Sequence, residues 1–413
     1  MCTSNSMMPN ASTKATALAL TLLLAACATD QTSVVEDVQP APVDVARVGV
    51  SDTTAAPDVA DVPLVADVPL VADVPLVADV PDVPEKPAVF PLRGVNWFGM
   101  ETPDHAPHGL WTGRTPDDFV AQAASWGFNA LRLPLSPGAI RPGIPTADWA
   151  QSAGYATGRD ALQAVLVAAD KHAMHVLLDY HSCDNNHGEE QAPHPTACEG
   201  ATEASWHADL EILAALSHTH ASVIGIDLFN EPYGLTYTQW KSAAEAAGAA
   251  VLAVNPDLLI FVEGVGNASD AGGFDAMWGG NLSEVGQTDW TIPLDRLVLS
   301  PHVYGPSVAA MAYFAASDYP NNLKHIWDLH FGHAAEFGYT MVVGEWGSQN
   351  DDTAVPGSQA WQQAWLAYYQ QGLFSGFFYW SLNANTGQVG GLLQDDWLTP
   401  TALLDGLAPF LAP

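Results

Sequence analysis

From about Val89 onward, hydrophobic residues alternate between two kinds of stretch. Short apolar runs rich in β-branched and aromatic residues recur at Leu92–Trp97, Ala130–Pro134, His175–Tyr180, Val223–Phe229, Leu258–Val262, Leu297–Pro301, Thr340–Gly344 and Gly376–Trp380. Each is bounded by turn formers or polar residues, the pattern of a buried strand. Between them lie alanine-rich stretches of helical spacing, clearest at Asp117–Trp126, Gly158–His172, Glu203–His218, Thr238–Val254, Leu323–Phe337 and Gln359–Gln371. Strand followed by helix, repeated, predicts parallel strands closed into a single (β/α)₈ barrel over residues 89–413. The stretch Gly264–Asp295 is glycine-rich and lacks a regular pattern, and reads as a long loop at the barrel mouth. No second folded domain is visible.

The first 88 residues follow other rules. Lys14 precedes an alanine- and leucine-rich run that ends in Leu23-Leu24-Ala25-Ala26-Cys27. That run is too short to span a bilayer and suits a signal-peptide core. Its end resembles the bacterial lipoprotein processing box, which predicts a signal peptide over residues 1–26 and lipidation of Cys27. Ala28, which is not an aspartate, resembles an outer-membrane address. The expected location is the cell surface or the periplasmic face of that membrane, or the medium after release. Residues 27–88 read as a disordered linker. Asp61-Val62-Pro63-Leu64-Val65-Ala66 recurs from Asp67 and from Asp73. Proline at this spacing forbids a continuous helix or central strand, and the like charges extend the chain.

Charge narrows the partners. Lysine and arginine number 12 against 46 aspartates and glutamates, a formal net charge of −34. Phosphate backbones would be repelled, so nucleic acid is excluded, whereas a neutral polysaccharide is not. The 14 tryptophans exceed what the core needs, and several stand in polar or glycine-rich loops. Their flat apolar faces match those of sugar rings. Cys183 and Cys198 stand in a polar loop after the third strand. In an exported chain a disulfide is the natural pairing. Metal ligation is the alternative, because His181, His187, His194 and His207 lie nearby.

The strand ends carry the candidate chemistry. The first offers Asn96, Trp97 and Phe98. The second holds Arg132 inside an apolar run, where a charge must find a carboxylate. The third ends in Asp179-Tyr180-His181, the fourth in Asn230-Glu231 and the fifth in Glu263-Gly264. The sixth ends in His302 and Tyr304, the seventh in Glu345-Trp346 and the eighth in Trp380. Two carboxylates at the mouth of a barrel are what glycoside hydrolysis requires: one donates a proton, the other acts as nucleophile or base.

These motifs resemble glycoside hydrolase family 5, and most of all its bacterial endo-β-1,4-glucanases. The resemblance rests on Arg93-Gly94-Val95-Asn96-Trp97-Phe98-Gly99, Asn129-Ala130-Leu131-Arg132-Leu133-Pro134, Asp227-Leu228-Phe229-Asn230-Glu231-Pro232 and Gly344-Glu345-Trp346-Gly347. Ile260–Gly264, Trp278–Leu282 and Gly390–Trp397 add to it. It implies Glu231 as acid/base, Glu345 as nucleophile, and Asn230 on the sugar 2-hydroxyl. Arg132 would hold the nucleophile ionised, with Tyr304 and His302 beside it, His181 near the sugar and Trp380 under the reacting ring. Trp97, Trp278 and Trp346 are further candidate sugar contacts. The chain departs from close relatives at Val303, at Trp346 and in the Cys183–Cys198 loop, which leaves subsite preference open. The expected partner is a β-glucan met by a monomer, with no metal or organic cofactor. β-Mannanase and mixed-linkage glucanase activity share the mechanism. A non-catalytic glycan-binding surface protein and a lipid-anchored scaffold are the non-enzyme alternatives, and neither needs Glu231, Glu345 and Arg132 together.

Overall fold

The computed structural model describes residues 89–411 except 185–191, 267–272, 350–351 and 353–354. The signal peptide, Cys27, the repeat linker and His187 lie outside the described residues.

Eight parallel staves form the barrel. They are β1 (Leu92–Asn96), β2 (Ala130–Leu135), β3 (His175–Tyr180), β4 (Val223–Asp227), β5 (Leu259–Val262), β6, β7 and β8 (Gly376–Tyr379). Two staves are broken. β6 runs as Leu297–Leu299 and then His302–Tyr304, and β7 as Thr340–Met341 and then Val343–Gly347. The lower piece of β6 pairs with the lower piece of β7, the upper with the upper, and this closes the ring. The sequence pattern ends the sixth strand at Pro301. Proline has no N–H for the ladder, so the strand is interrupted there and resumes beyond it.

The surrounding helices are α1 (Pro116–Ser125), α2 (Gly158–Lys171), α3 (Glu203–Leu216), α4 (Tyr237–Val254), α5 (Leu323–His330), α6 (Ser358–Tyr369) and α7 (Leu403–Leu411). The first four start on reciprocal caps: Thr115 with Asp118, Thr157 with Asp160, Thr202 with Ser205 and Thr236 with Gln239. Each cap satisfies two amides that the helix start leaves open. The helix expected over Leu323–Phe337 stops at His330 and continues as a 3₁₀ turn, Gly332–Phe337. Gly332 lies under the Tyr368 hydroxyl, where a Cβ would come within 2.0 Å.

Alternation along each strand sorts the barrel interior into layers. The lower layer is apolar: Leu92, Ala130, Leu177, Leu259, Phe261, Val298, Val342 and Phe378. Two residues further along several of these strands, the inward positions turn polar, at Arg132, Asp179, Glu263 and Ser300. The parallel register sets Asn96 beside Arg132, Asp179 beside Asp227 and His302 beside Glu345. The outward residues join the helices in the main hydrophobic core.

Candidate active site

Arg132 is the centre of the polar layer and is fully buried. Its Nε donates to Asp227 Oδ2 at 3.0 Å. Nη1 donates to Asn96 Oδ1 at 3.1 Å and to Glu345 Oε1 at 2.5 Å. Nη2 donates to Asn230 Oδ1 and Glu263 Oε1, both at 3.0 Å, and stands 3.1 Å from Asp179 Oδ2. Burial opposes its charge, but Asp179, Asp227, Glu345 and Glu263 outweigh that and hold the guanidinium firmly protonated. A lone buried cation would be costly; four carboxylates make it the fixed point of the site.

Glu345 is held from two sides. Arg132 binds one oxygen, and the Tyr304 hydroxyl donates to the other at 2.5 Å. Burial and the neighbouring Glu345 and Glu231 carboxylates hold Tyr304 far above its ordinary range, so it remains a donor. Glu231 is held differently. Its Oε1 meets His302 Nδ1 at 2.9 Å, and its backbone N–H donates to Glu263 Oε2 at 2.8 Å. Glu231 has φ +48°, a left-handed conformation uncommon outside glycine. His302 Nε2 stands 3.1 Å from Glu263 Oε1 but without hydrogen-bond geometry. Burial would lower the His302 pKa, yet Glu263 and Glu345 raise it well above the ordinary imidazole value.

An oxygen of Glu231, an oxygen of Glu345 and a ring nitrogen of His302 lie within 4.8 Å of one another. Retaining glycosidases hold their carboxyl groups about 5–5.5 Å apart, inverting ones about 6.5–9.5 Å. A cavity of about 540 Å³ opens above the pair, lined by His181, Asn230, Trp278, Met277 and Trp380 among others.

Trp380 lies parallel to Phe98 at 5.4 Å and near-parallel to His181 at 6.0 Å. His181 is fixed by Asp179, with Nδ1 2.6 Å from Oδ2, and burial pushes its pKa down to about 4. Trp278 stacks on Tyr233 at 4.6 Å, forming a second aromatic face. The Gly264–Asp295 stretch does contribute cavity wall, through Ala276, Met277 and Trp278.

Two expected sugar contacts are corrected. Trp97 is fully buried, donates Nε1 to the His108 carbonyl and packs on Phe119 at 4.9 Å. Trp346 is buried against Phe377 and Tyr379. Alternation puts Trp97 outside after the inward Asn96, and a register shift against β8 between Val343 and Trp346 turns Glu345 inward and Trp346 out. Cys183 and Cys198 form a disulfide, Cα to Cα 5.7 Å, so their sulfurs are not free for metal. Asp227 and Glu263 come near His302 in metal-like spacing, but Asp227 Oδ2 and both Glu263 oxygens already accept from Arg132 and the Glu231 amide.

Asp179 and Glu263, read at the strand ends without an assigned role, and Asp227, read only as part of a motif, are structural partners of Arg132. Their signal was available: an acid at an inward strand position must face the buried cation. Burial, partly offset by Arg132, pushes Asp179 and Asp227 up to about 7. Glu101 had no such signal. It lies in the loop after β1, accepts from the Gly99 N–H at 2.7 Å, and is pushed by burial up to about 8.

Comparison with known proteins agrees with this geometry. Residues 86–386 match the family described as Cellulase (glycosyl hydrolase family 5). The chain is 38% identical over 332 residues to the major extracellular endoglucanase of Xanthomonas campestris, covering 75% of this chain and 65% of that one. It is 36% identical to an endoglucanase of Paenibacillus polymyxa, covering 76% of this chain and 80% of the relative. An alanine variant of the Pyrococcus horikoshii endocellulase, solved with cellotetraose, superposes with a TM-score of 0.71 at 35% identity. That match covers 78% of this chain and 92% of the other. The Xanthomonas catalytic domain gives 0.71 at 37% identity, covering 78% and 94%.

Proposed function

Since this chain belongs to glycosyl hydrolase family 5, we propose that it is an endo-acting hydrolase that cleaves β-1,4-glucosidic bonds with net retention. The observation that carries this reading is the carboxylate pair, with oxygens of Glu231 and Glu345 within 4.8 Å and different donors on each. Glu345, between Arg132 and Tyr304, is the nucleophile. It attacks the anomeric carbon as Glu231 gives its proton to the leaving glycosidic oxygen. Glu231 then takes a proton from water, which displaces Glu345 from the sugar and restores the original configuration. Asn230, aligned by Arg132, binds the 2-hydroxyl. Trp380 orients the reacting ring, and Trp278 offers a face to a neighbouring one.

The test is the stereochemistry of azide rescue on an aryl cellobioside with a good leaving group. Glu231→Ala still forms the glycosyl-enzyme and stalls, and added azide releases the β-azide. Glu345→Ala admits azide directly and gives the α-azide. Inverted product from the wild type sinks the retaining assignment, and swapped azide anomers exchange the two roles. Assay on cellulose, mixed-linkage glucan and mannan separates the substrates. The printed names of the Xanthomonas and Paenibacillus relatives favour glucan.

The same proposal extends to the leader. The Leu24-Ala25-Ala26-Cys27 sequence supports lipidation of Cys27, attachment to the outer membrane, and a linker that holds the barrel clear of it. Mass spectrometry of the mature N-terminus tests this, and an unmodified start downstream of Cys27 overturns it.

A further inference from the structure

We propose that Glu263 is the positioning residue of the acid/base glutamate, holding the backbone of Glu231 on one carboxylate oxygen and the central arginine on the other. The proposal rests on the roles of Glu231 and Glu345 given above. Glu263 ends β5 and is fully buried. Its carbonyl accepts from Trp240 Nε1 at 2.8 Å, which ties its main chain to α4. Gly279, φ +69°, lets the carboxylate seat: a Cβ there would come within 2.5 Å of Glu263 Oε2.

The geometry gives the carboxylate two tasks that an amide cannot share. Oε1 takes Arg132 Nη2, and Oε2 takes the N–H of Glu231. Both partners are donors. Glutamine in this place must turn its NH₂ against one of them. The two partners are not equally dependent on Glu263. Arg132 keeps Asp179, Asp227 and Glu345. The Glu231 amide sits in a left-handed turn, a conformation that persists only where its surroundings hold it. Loss of Glu263 therefore displaces the acid/base and largely spares the nucleophile. His302, which contacts the Glu231 side chain, also borders Glu263, so main chain and carboxyl of Glu231 are held from one direction.

The experiment compares Glu263→Gln with wild type on cellotetraose and on dinitrophenyl β-cellobioside, with and without azide. Protonation is needed to expel a sugar and hardly needed to expel dinitrophenolate. A 1 Å displacement of Glu231 lowers kcat on cellotetraose by roughly 10²-fold, with KM changed less than about 3-fold. The first-turnover burst of dinitrophenolate falls by less than about 5-fold, later turnover slows, and azide accelerates it to a β-azide product. Equal losses on both substrates without an azide response overturn the proposal, as does wild-type behaviour. If Glu263→Gln does not fold, Glu263→Asp decides: it keeps the charge but cannot span both donors, so the same leaving-group pattern is expected and wild-type behaviour refutes it. Inverted products from the wild type would fell the retaining reading itself, whatever the variants do.

Discussion

The buried acids beneath the site make stability fall as pH rises through neutrality, and the size of the effect follows from their environments. Glu101 is pushed by burial to about 8, and Asp179 and Asp227 to about 7. Their folded values lie above the unfolded ones. The stability they contribute is complete below the unfolded values and is lost as pH rises through the folded ones. Between pH 6.5 and 8 the unfolded chain has already released these protons, and the folded chain is releasing them. Integrating the linkage over that window gives roughly 3 kcal/mol for the three together, about half of it from Glu101. His181 and His330, which burial pushes down to about 4, act in the opposite sense. They return about 1 kcal/mol as unfolded histidine loses its last protons. A net loss of about 2 kcal/mol remains, and the raised His302 adds to it with the same sign. For a folded unit of roughly 320 residues this is a Tm drop of about 3 °C. Calorimetry of the mature protein at the two pH values measures it. Glu101→Gln removes about half of the gross effect and should cut the drop to about 1 °C. A Tm that is flat or rises from pH 6.5 to 8, or a Glu101→Gln variant with the wild-type slope, refutes the reasoning.

Trp380→Ala should lower kcat/KM on short cello-oligosaccharides by roughly 10²-fold, because the ring that orients the sugar is gone, while near-UV and far-UV circular dichroism stay native. Wild-type kinetics would make the ring a packing partner of Phe98 only. Reducing the Cys183–Cys198 disulfide opens a loop with a sequence separation of 15, worth about 3 kcal/mol in the chain-entropy model. Melting with and without reductant should differ by roughly 4 °C. Thiol titration of the unfolded, unreduced protein should find neither cysteine free.

The barrel was legible because its staves and helices carry the two plain periodicities of buried strand and amphipathic helix. The break in β6 was marked by Pro301, where the apolar run ends, but the break in β7 was not, since a ladder interruption there leaves the apolar run intact. In the site, Arg132 was legible as a charge in an apolar strand, and the requirement for an acid partner came with it. Which acids would answer depended on register between strands: Asp179 beside Asp227, both level with the guanidinium. Trp97 and Trp346 show the converse error. Trp346 is turned into the wall by the register shift in β7, which the sequence pattern does not carry, whereas Trp97 follows the inward Asn96, so strand alternation already turns it there. Phe98, which backs Trp380, comes one residue later and lies at the mouth again. The four helix caps were written in the sequence as threonine followed three residues on by a hydrogen-bonding side chain.

The layer under the site also explains how one arginine can keep its place among four acids. Asp179, Asp227 and Glu263 are completely buried, whereas Glu345 borders the cavity. Burial raises the two deep aspartates, so each holds a proton to a higher pH than an ordinary carboxyl does. For the two aspartates the place of the proton is visible. Asp179 Oδ2 and Asp227 Oδ2 face Arg132, while each Oδ1 is buried with no hydrogen-bond partner among the described residues. Protonated on Oδ1, each keeps its contact with the guanidinium but withdraws its charge. Glu345 has no such spare oxygen, because Arg132 and Tyr304 take one each. Arg132 therefore keeps its contacts with both aspartates whether or not they carry a proton.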